Sequence, residues 1–317
     1  MQERRLNAMN ASTLVGEVVG CEAFKGFGPL LFPAPLHREE RRLALDHMEA
    51  LFPRHRNICV SETLRVLNFM LRLSKHGVQY FYDIYSEKEK RRTSSKAHTG
   101  LFFFRGVRGA PFALITPGCG EYVATLHEGL PCAVELIRPG YNAFTLQYRP
   151  GGLAEICEDL AAAISFIFSH AEEFGVAAEG YALWGSSAGA DAAAYLASYG
   201  PRAFGGDDLP RPCALVMQYS SHSNHTRREP PTFACTGGSD RALSLTMKKR
   251  IDVLASYGID AEFHEYPQVE NGFGLGTGTE AEAWLQDAVV FWKRHLPPAV
   301  RRLLRRKPAV RLLNRLS

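Results

Sequence analysis

Gly185-Ser186-Ser187-Ala188-Gly189 is the stretch on which the reading of this chain turns. It follows the apolar run Tyr181-Ala182-Leu183-Trp184 and precedes Ala190 to Ser198, which reads as a helix. A short buried strand, a cramped turn and a helix are the setting in which G-x-S-x-G lifts a serine hydroxyl to an exposed apex. The glycines are needed because strand end and helix start approach too closely for a Cβ. Ser187 is therefore the candidate nucleophile.

Working outward, strands and helices alternate. Strands are expected at Asn142 to Gln147, Tyr181 to Trp184, Ala214 to Gln218, Thr232 to Cys235 and Ala261 to Tyr266. Helices are expected at Leu153 to Phe174, Ala188 to Ser198, Leu243 to Tyr257 and Glu280 to His295, the last opened by a Thr279/Glu282 capping-box spacing. Such alternation implies a mostly parallel sheet with helices on both faces. Upstream, Val78 to Tyr85 reads as a strand, and Leu101 to Phe104 with Phe112 to Thr116 as an antiparallel pair. An antiparallel start, parallel strands and an elbow point to an α/β class protein with the α/β-hydrolase sheet. Residues 1–77 form an N-terminal extension with helical spacing at Glu39 to Leu51 and at Ser61 to Leu73, Ser61 serving as N-cap. The hydrolase domain is then 78–296, and 297–317 a basic tail.

Of 317 residues, 46% are hydrophobic, enough for one large core. The start lacks the apolar core of a signal peptide, and no run has the length of a membrane span. The 7 cysteines are scattered without a C-x-x-C pair, so a cytoplasmic chain with reduced thiols is expected. The net charge of +4 arises in the tail, where Arg301, Arg302, Arg305, Arg306, Lys307, Arg311 and Arg315 meet no acid. The remainder is slightly acidic, which argues against a nucleic-acid partner. With apolar residues interleaved, the tail is a candidate for weak membrane contact.

A serine hydroxyl needs an imidazole to take its proton, and the imidazole needs a carboxylate to fix its tautomer. In these sheets the chain order is nucleophile, acid, histidine. Asp240, in the loop after Thr232 to Cys235, stands where the acid belongs, although the same position suits a helix N-cap. The oxyanion hole calls for two backbone N–H groups, one from Ala188 and another from the glycine-rich loop Pro117-Gly118-Cys119-Gly120. The loop after the last strand, Gln268 to Gly278, contains no histidine. His222, His225 and Glu270 are the candidate substitutes, and His127-Glu128 either lines the approach or lies on a helix surface. Gly274-Leu275-Gly276-Thr277-Gly278 lacks the G-x-G-x-x-G spacing of a nucleotide loop, and no zinc spacing occurs, so neither cofactor nor metal is expected.

The chain resembles the serine esterase/lipase branch of the α/β-hydrolase superfamily, close to small acetyl-xylan and feruloyl-type esterases. The likeness is carried by Pro117 to Gly120, Gly140 to Arg149, Trp184 to Gly189, Pro230 to Asp240 and Gly272-Phe273-Gly274-Leu275-Gly276, within roughly residues 78 to 296. It implies hydrolysis of a small-molecule ester through an acyl-serine, with Ser187 and Asp240 at the nucleophile and acid positions. Family members carry His-Gly-Phe-Gly in the last block, so Asn271 stands at the histidine position, and Cys119 replaces the middle glycine of the oxyanion loop. Asn271 cannot accept a proton as imidazole does. The resemblance therefore implies a substitute base, a weakened esterase or an inactive homologue that keeps the pocket.

Overall fold

A computed structural model of the protein describes residues 8–306 except 34, 56 and 119–121. The extension contains α1 (Val15–Val19), several 3-10 turns and the long α2 (Val60–Lys75). Its Glu39 to Leu51 segment forms two 3-10 turns, Glu40–Arg42 and Leu45–Leu51, instead of the expected α-helix. Leu43, between them, is extended (φ −65, ψ 136), which breaks the helical path. Cys59, not Ser61, precedes α2, because Val60 already has helical geometry.

Eight strands follow: β1 (Phe81–Tyr82), β2 (Gly100–Phe104), β3 (Phe112–Thr116), β4 (Asn142–Gln147), β5 (Ala182–Ser186), β6 (Ala214–Gln218), β7 (Thr232–Gly237) and β8 (Ala261–Tyr266). They lie in the order β1-β2-β4-β3-β5-β6-β7-β8. β1 pairs antiparallel with β2 and β2 antiparallel with β4; the remaining neighbours are parallel. The expected β2/β3 pair is corrected by this order, since β4 lies between them. Asn142, the first residue of β4, explains it. Its Oδ1 accepts from the Gly106 N–H at 2.9 Å, and its Nδ2 donates to the carbonyls of Val107 and Ala110 at 3.2 and 2.9 Å. The β2–β3 connection thus wraps the end of β4 and does not close a hairpin.

Alternate residues of each central strand enter opposite cores. Ile115, Trp184, Val216 and Phe233 face one layer, and Leu114, Leu183, Leu215 and Ala234 face the other. Both faces are covered, so the strands read as continuous apolar runs. The first layer contains α4 (Leu130–Ile137), α9 (Trp284–His295) and most of the apolar residues of the extension. The second contains α5 (Leu153–Ser169), the short α6 (Ala171–Phe174) through Phe174, α7 (Ala188–Tyr199) and α8 (Arg241–Ser256), while α3 (Glu87–Arg92) buries no residue. The segment expected to be one helix from Leu153 divides at His170, and α9 begins at Trp284 because Thr279 forms a turn, its Oγ1 donating to the Gly276 carbonyl at 2.7 Å. Val300 and Leu304 of the terminal α10 (Pro298–Arg306) pack on the first layer.

The extension is tied to the body by side-chain clamps. Within the extension, the Asn68 amide on α2 exchanges hydrogen bonds with the Met9 N–H and carbonyl at 2.8 and 2.9 Å. Arg65 joins Glu62 on α2 to Glu135 on α4. The ring of Phe27 meets Phe102 of β2 edge-on, with centroids 5.4 Å apart. Among the described residues the extension adds no strand to the sheet; it packs across the first layer and reaches the ends of the parallel strands.

Candidate active site

β5 ends and α7 begins at Ser187, whose φ of 48 and ψ of −124 are rare for a residue with a side chain. The tightness is measurable. A Cβ on Gly185 would lie 2.5 Å from the Gly189 carbonyl oxygen, and one on Gly189 would lie 2.0 Å from that of Thr116. The Ser187 N–H donates to the Gln218 carbonyl at 2.9 Å, and the Gln218 side chain donates to the Gly274 carbonyl at 3.1 Å. The strained serine is thus held by β6 and by the loop after β8. Among the described residues Tyr219 and Asn57 are the other non-glycines with positive φ, and such strain gathers at functional sites.

Ser187 opens on a cleft of about 810 Å³ at the C-terminal ends of the parallel strands. Its lining brings Ser187, Ala188, Asp240 and Asn271 together. Ala188 is the first residue of α7, where N–H groups have no acceptor within the helix and point toward a developing negative charge. Asp240 is exposed and caps α8, its Oδ1 accepting from the Leu243 N–H at 3.0 Å. Asn271 Oδ1 accepts from the Gly237 N–H at 2.9 Å and the Thr236 hydroxyl at 3.1 Å. That pins the amide to the end of β7.

The candidate substitute bases are not brought to this cleft. His222 is buried against Tyr195, ring centroids 4.6 Å apart, and burial, then nearby Arg250, pushes its imidazole down to about 4. His225 stands beside the Tyr257 hydroxyl at 3.3 Å, and Glu270 is an exposed loop residue outside the lining. In the oxyanion loop, the Gly118 N–H donates to Glu128 Oε2 at 2.6 Å, so that donor is taken by the protein's own carboxylate. Cys119 and Gly120 lie outside the described residues.

The cleft also holds groups that the sequence did not single out for it: Arg54, His55 and Tyr219. His55 comes from the extension and is 3% exposed, which makes it part of the wall and not a solvent-facing loop residue. Its Nε2 lies 3.0 Å from Glu128 Oε1, and its Nδ1 lies 2.9 Å from the Tyr122 hydroxyl. Glu128, with neighbouring His127, sits in a π-helical turn, Thr125–Gly129, that directs both side chains inward. The surface-helix reading of this pair is thereby corrected, since both are buried. Burial opposes ionisation of Glu128, but His55 and the Tyr219 hydroxyl at 2.5 Å outweigh it and hold the carboxyl down to about 2. His127 donates from Nε2 to the Gly272 carbonyl at 2.9 Å, and burial keeps its ring below the usual imidazole range. Among the described residues no group of three or more His, Cys, Asp or Glu side chains is arranged to hold a metal ion.

Residues 125–244 match the BD-FAE family model. The structure is similar to an acetyl ester-xyloside bifunctional hydrolase from Caldicellulosiruptor lactoaceticus, at 18% identity over 68% of this chain and 95% of that one, TM-score 0.56. It is also similar to a propionate-bound thermophilic esterase from Thermogutta terrifontis, at 18% identity over 63% and 91% of the two chains, TM-score 0.55. A sugar hydrolase from Lactococcus lactis matches at 20% identity over 62% and 94%, TM-score 0.53. None of the curated proteins matches. The chain has the α/β-hydrolase fold. No helix among the described residues is long and apolar enough to cross a membrane.

Proposed function

We propose that this chain of the α/β-hydrolase fold is a serine carboxylester hydrolase with an altered triad. The observation that carries the reading is Ser187, held at a φ of 48 on the floor of an open cleft. Its Oγ attacks the carbonyl carbon of a small ester, and the carbonyl π pair moves onto oxygen. The Ala188 N–H and one from Cys119 or Gly120 receive that charge. The Ser187 proton passes to a base and then to the departing alkoxide, leaving an acyl-Ser187 that water clears by the same steps. The BD-FAE match and the similarity to solved esterases support the reaction class. The slightly acidic body speaks against nucleic acid as a partner, and the scattered thiols fit a cytoplasmic setting.

A fluorophosphonate probe tests this directly. Stoichiometric labelling that disappears in Ser187→Ala is the expected result. One observation favours a second reading, a homologue that binds small molecules without turning them over. Asn271, at the position where the resemblance calls for histidine, is committed to the Gly237 backbone and offers no proton acceptor of imidazole strength. Removing the base from such a site costs several orders of magnitude in rate. A folded chain that leaves the probe unreacted decides for this second reading.

A further inference from the structure

We propose that His55 is the general base for Ser187, supplied by the N-terminal extension and oriented by Glu128. The inference rests on the serine-hydrolase reading above and names the group that reading leaves open.

Three observations place it. First, His55 lines the same cleft as Ser187 and Asn271, and it is the histidine in that lining. Second, it packs against the residue that follows Asn271: a Cβ on Gly272 would lie 3.1 Å from His55 Cα and 3.4 Å from its ring carbon Cδ2. The extension thus lays an imidazole beside the position where the resemblance calls for one. Third, His55 is paired with a buried carboxylate close to the nucleophile. A Cβ on Gly118 would stand 2.8 Å from Glu128 Oε2 and 3.1 Å from Ser187 Cβ, so both groups crowd one point. Nucleophile, imidazole and orienting carboxylate are the three parts the chemistry requires.

The base role calls for one tautomer. An ionised carboxylate only accepts, so His55 Nε2 carries hydrogen and donates to Glu128. As a base the ring uses the lone pair of Nδ1, which lies 2.9 Å from the Tyr122 hydroxyl. The role requires Nδ1 to exchange Tyr122 for Ser187 by a tilt of the ring that keeps Nε2 on Glu128. The Oγ–H bond then breaks as the Oγ–acyl bond forms. The proton rests on Nδ1, the imidazolium is stabilised by Glu128, and the leaving alkoxide removes the proton. Glu128 is a positioning residue in this scheme.

The test compares fluorophosphonate labelling rates of the full chain and its variants, with thermal melts to verify folding. His55→Ala is expected to label at least about a hundredfold more slowly and to recover with added imidazole. His55→Gln, which keeps more of the packing, is expected to be as slow without rescue. Tyr122→Phe is expected to label faster, because it removes the hydroxyl that competes with Ser187 for Nδ1; a clamp made of His55 and Tyr122 would instead make both variants slow. Labelling of His55→Ala at the unmodified rate overturns the assignment and leaves the hydrolase reading intact. So does a slow, folded His55→Ala that imidazole does not restore. Faster labelling by Glu128→Gln also overturns it, by showing the carboxylate to be a plug over the oxyanion loop. An unmodified chain that does not label at all removes the hydrolase reading, and this inference with it.

Discussion

On the proposed reading, the two walls of the cleft carry the parts of a serine site in different states. On one, β7 and β8 deliver Asp240 and Asn271 to the strand ends, where the carboxylate caps a helix and the amide is bound to backbone. On the other, the π-helical turn and the extension deliver Glu128 and His55, a buried pair 3.0 Å apart. The first wall has the chain order of a triad and lacks an imidazole. The second has an imidazole and a carboxylate outside that order. Position along the chain and availability of a proton acceptor are therefore separable. His55, from a segment without a regular pattern, reaches the same cleft as Asn271.

The sharpest way to break the comparison is to move the imidazole from one wall to the other. In a His55→Ala background, Asn271→His is expected to raise the labelling rate at least about tenfold, with Asp240 within the same lining to orient the new ring. The gain stays below full recovery, because the substitution removes the acceptor of the Gly237 N–H. If the double variant is no faster than His55→Ala, the first wall has lost more than a base.

Acid titration sharpens the contrast by isolating Glu128. Its folded value of about 2 lies below the ordinary glutamate value of roughly 4.3. The pair's contribution is thus full above the unfolded value and is lost as pH falls through the folded one. His222 works in a higher window. Its ring is held neutral, with a folded value of about 4 against roughly 6.5 unfolded, so the unfolded chain takes up the proton first. Its contribution is full above the unfolded value and declines as pH falls toward the folded one. Urea midpoints measured against pH should therefore fall in two stages. Glu128→Gln flattens the lower stage and His222→Phe the upper. A single stage insensitive to Glu128→Gln would mean that the carboxylate is not ionised by its partners.

Legibility in the sequence followed pattern. β4 and β6 have the bounds read from their residues, because buried strands form apolar runs that turn residues close, and β8 has them too, although its residues are half-buried or exposed. The elbow was legible because Gly185 and Gly189 have a steric reason to lack a Cβ. The β2–β4 pairing was not, since it depends on Asn142 wrapping a connection around its own strand end. β1 shrank to Phe81–Tyr82 from the expected Val78 to Tyr85, for aromatic composition does not say where pairing stops. His55 escaped altogether. It lies between a 3-10 turn and α2, where no period marks which side chain faces inward. Glu128 carried a faint signal as half of His127-Glu128, but a π-helical turn rotates that pair in a way no α-helical spacing anticipates.

The smallest expected effect separates Asp240's two possible duties. Asn is as good an N-cap as Asp, so Asp240→Asn keeps the hydrogen bond to the Leu243 N–H while removing the charge. If His55 and Glu128 do the proton transfer, this substitution changes labelling by less than about threefold, because Asp240 then orients no imidazole. Asp240→Ala loses the cap and costs about 1 kcal/mol in a urea melt, again with little change in rate. The same Asp240→Asn change placed on His55→Ala/Asn271→His should remove most of the gained rate, since there the charge has a ring to hold. A large loss from Asp240→Asn in the otherwise unmodified chain would return the acid's role to the first wall. The pair on the second wall would then be left with structure alone.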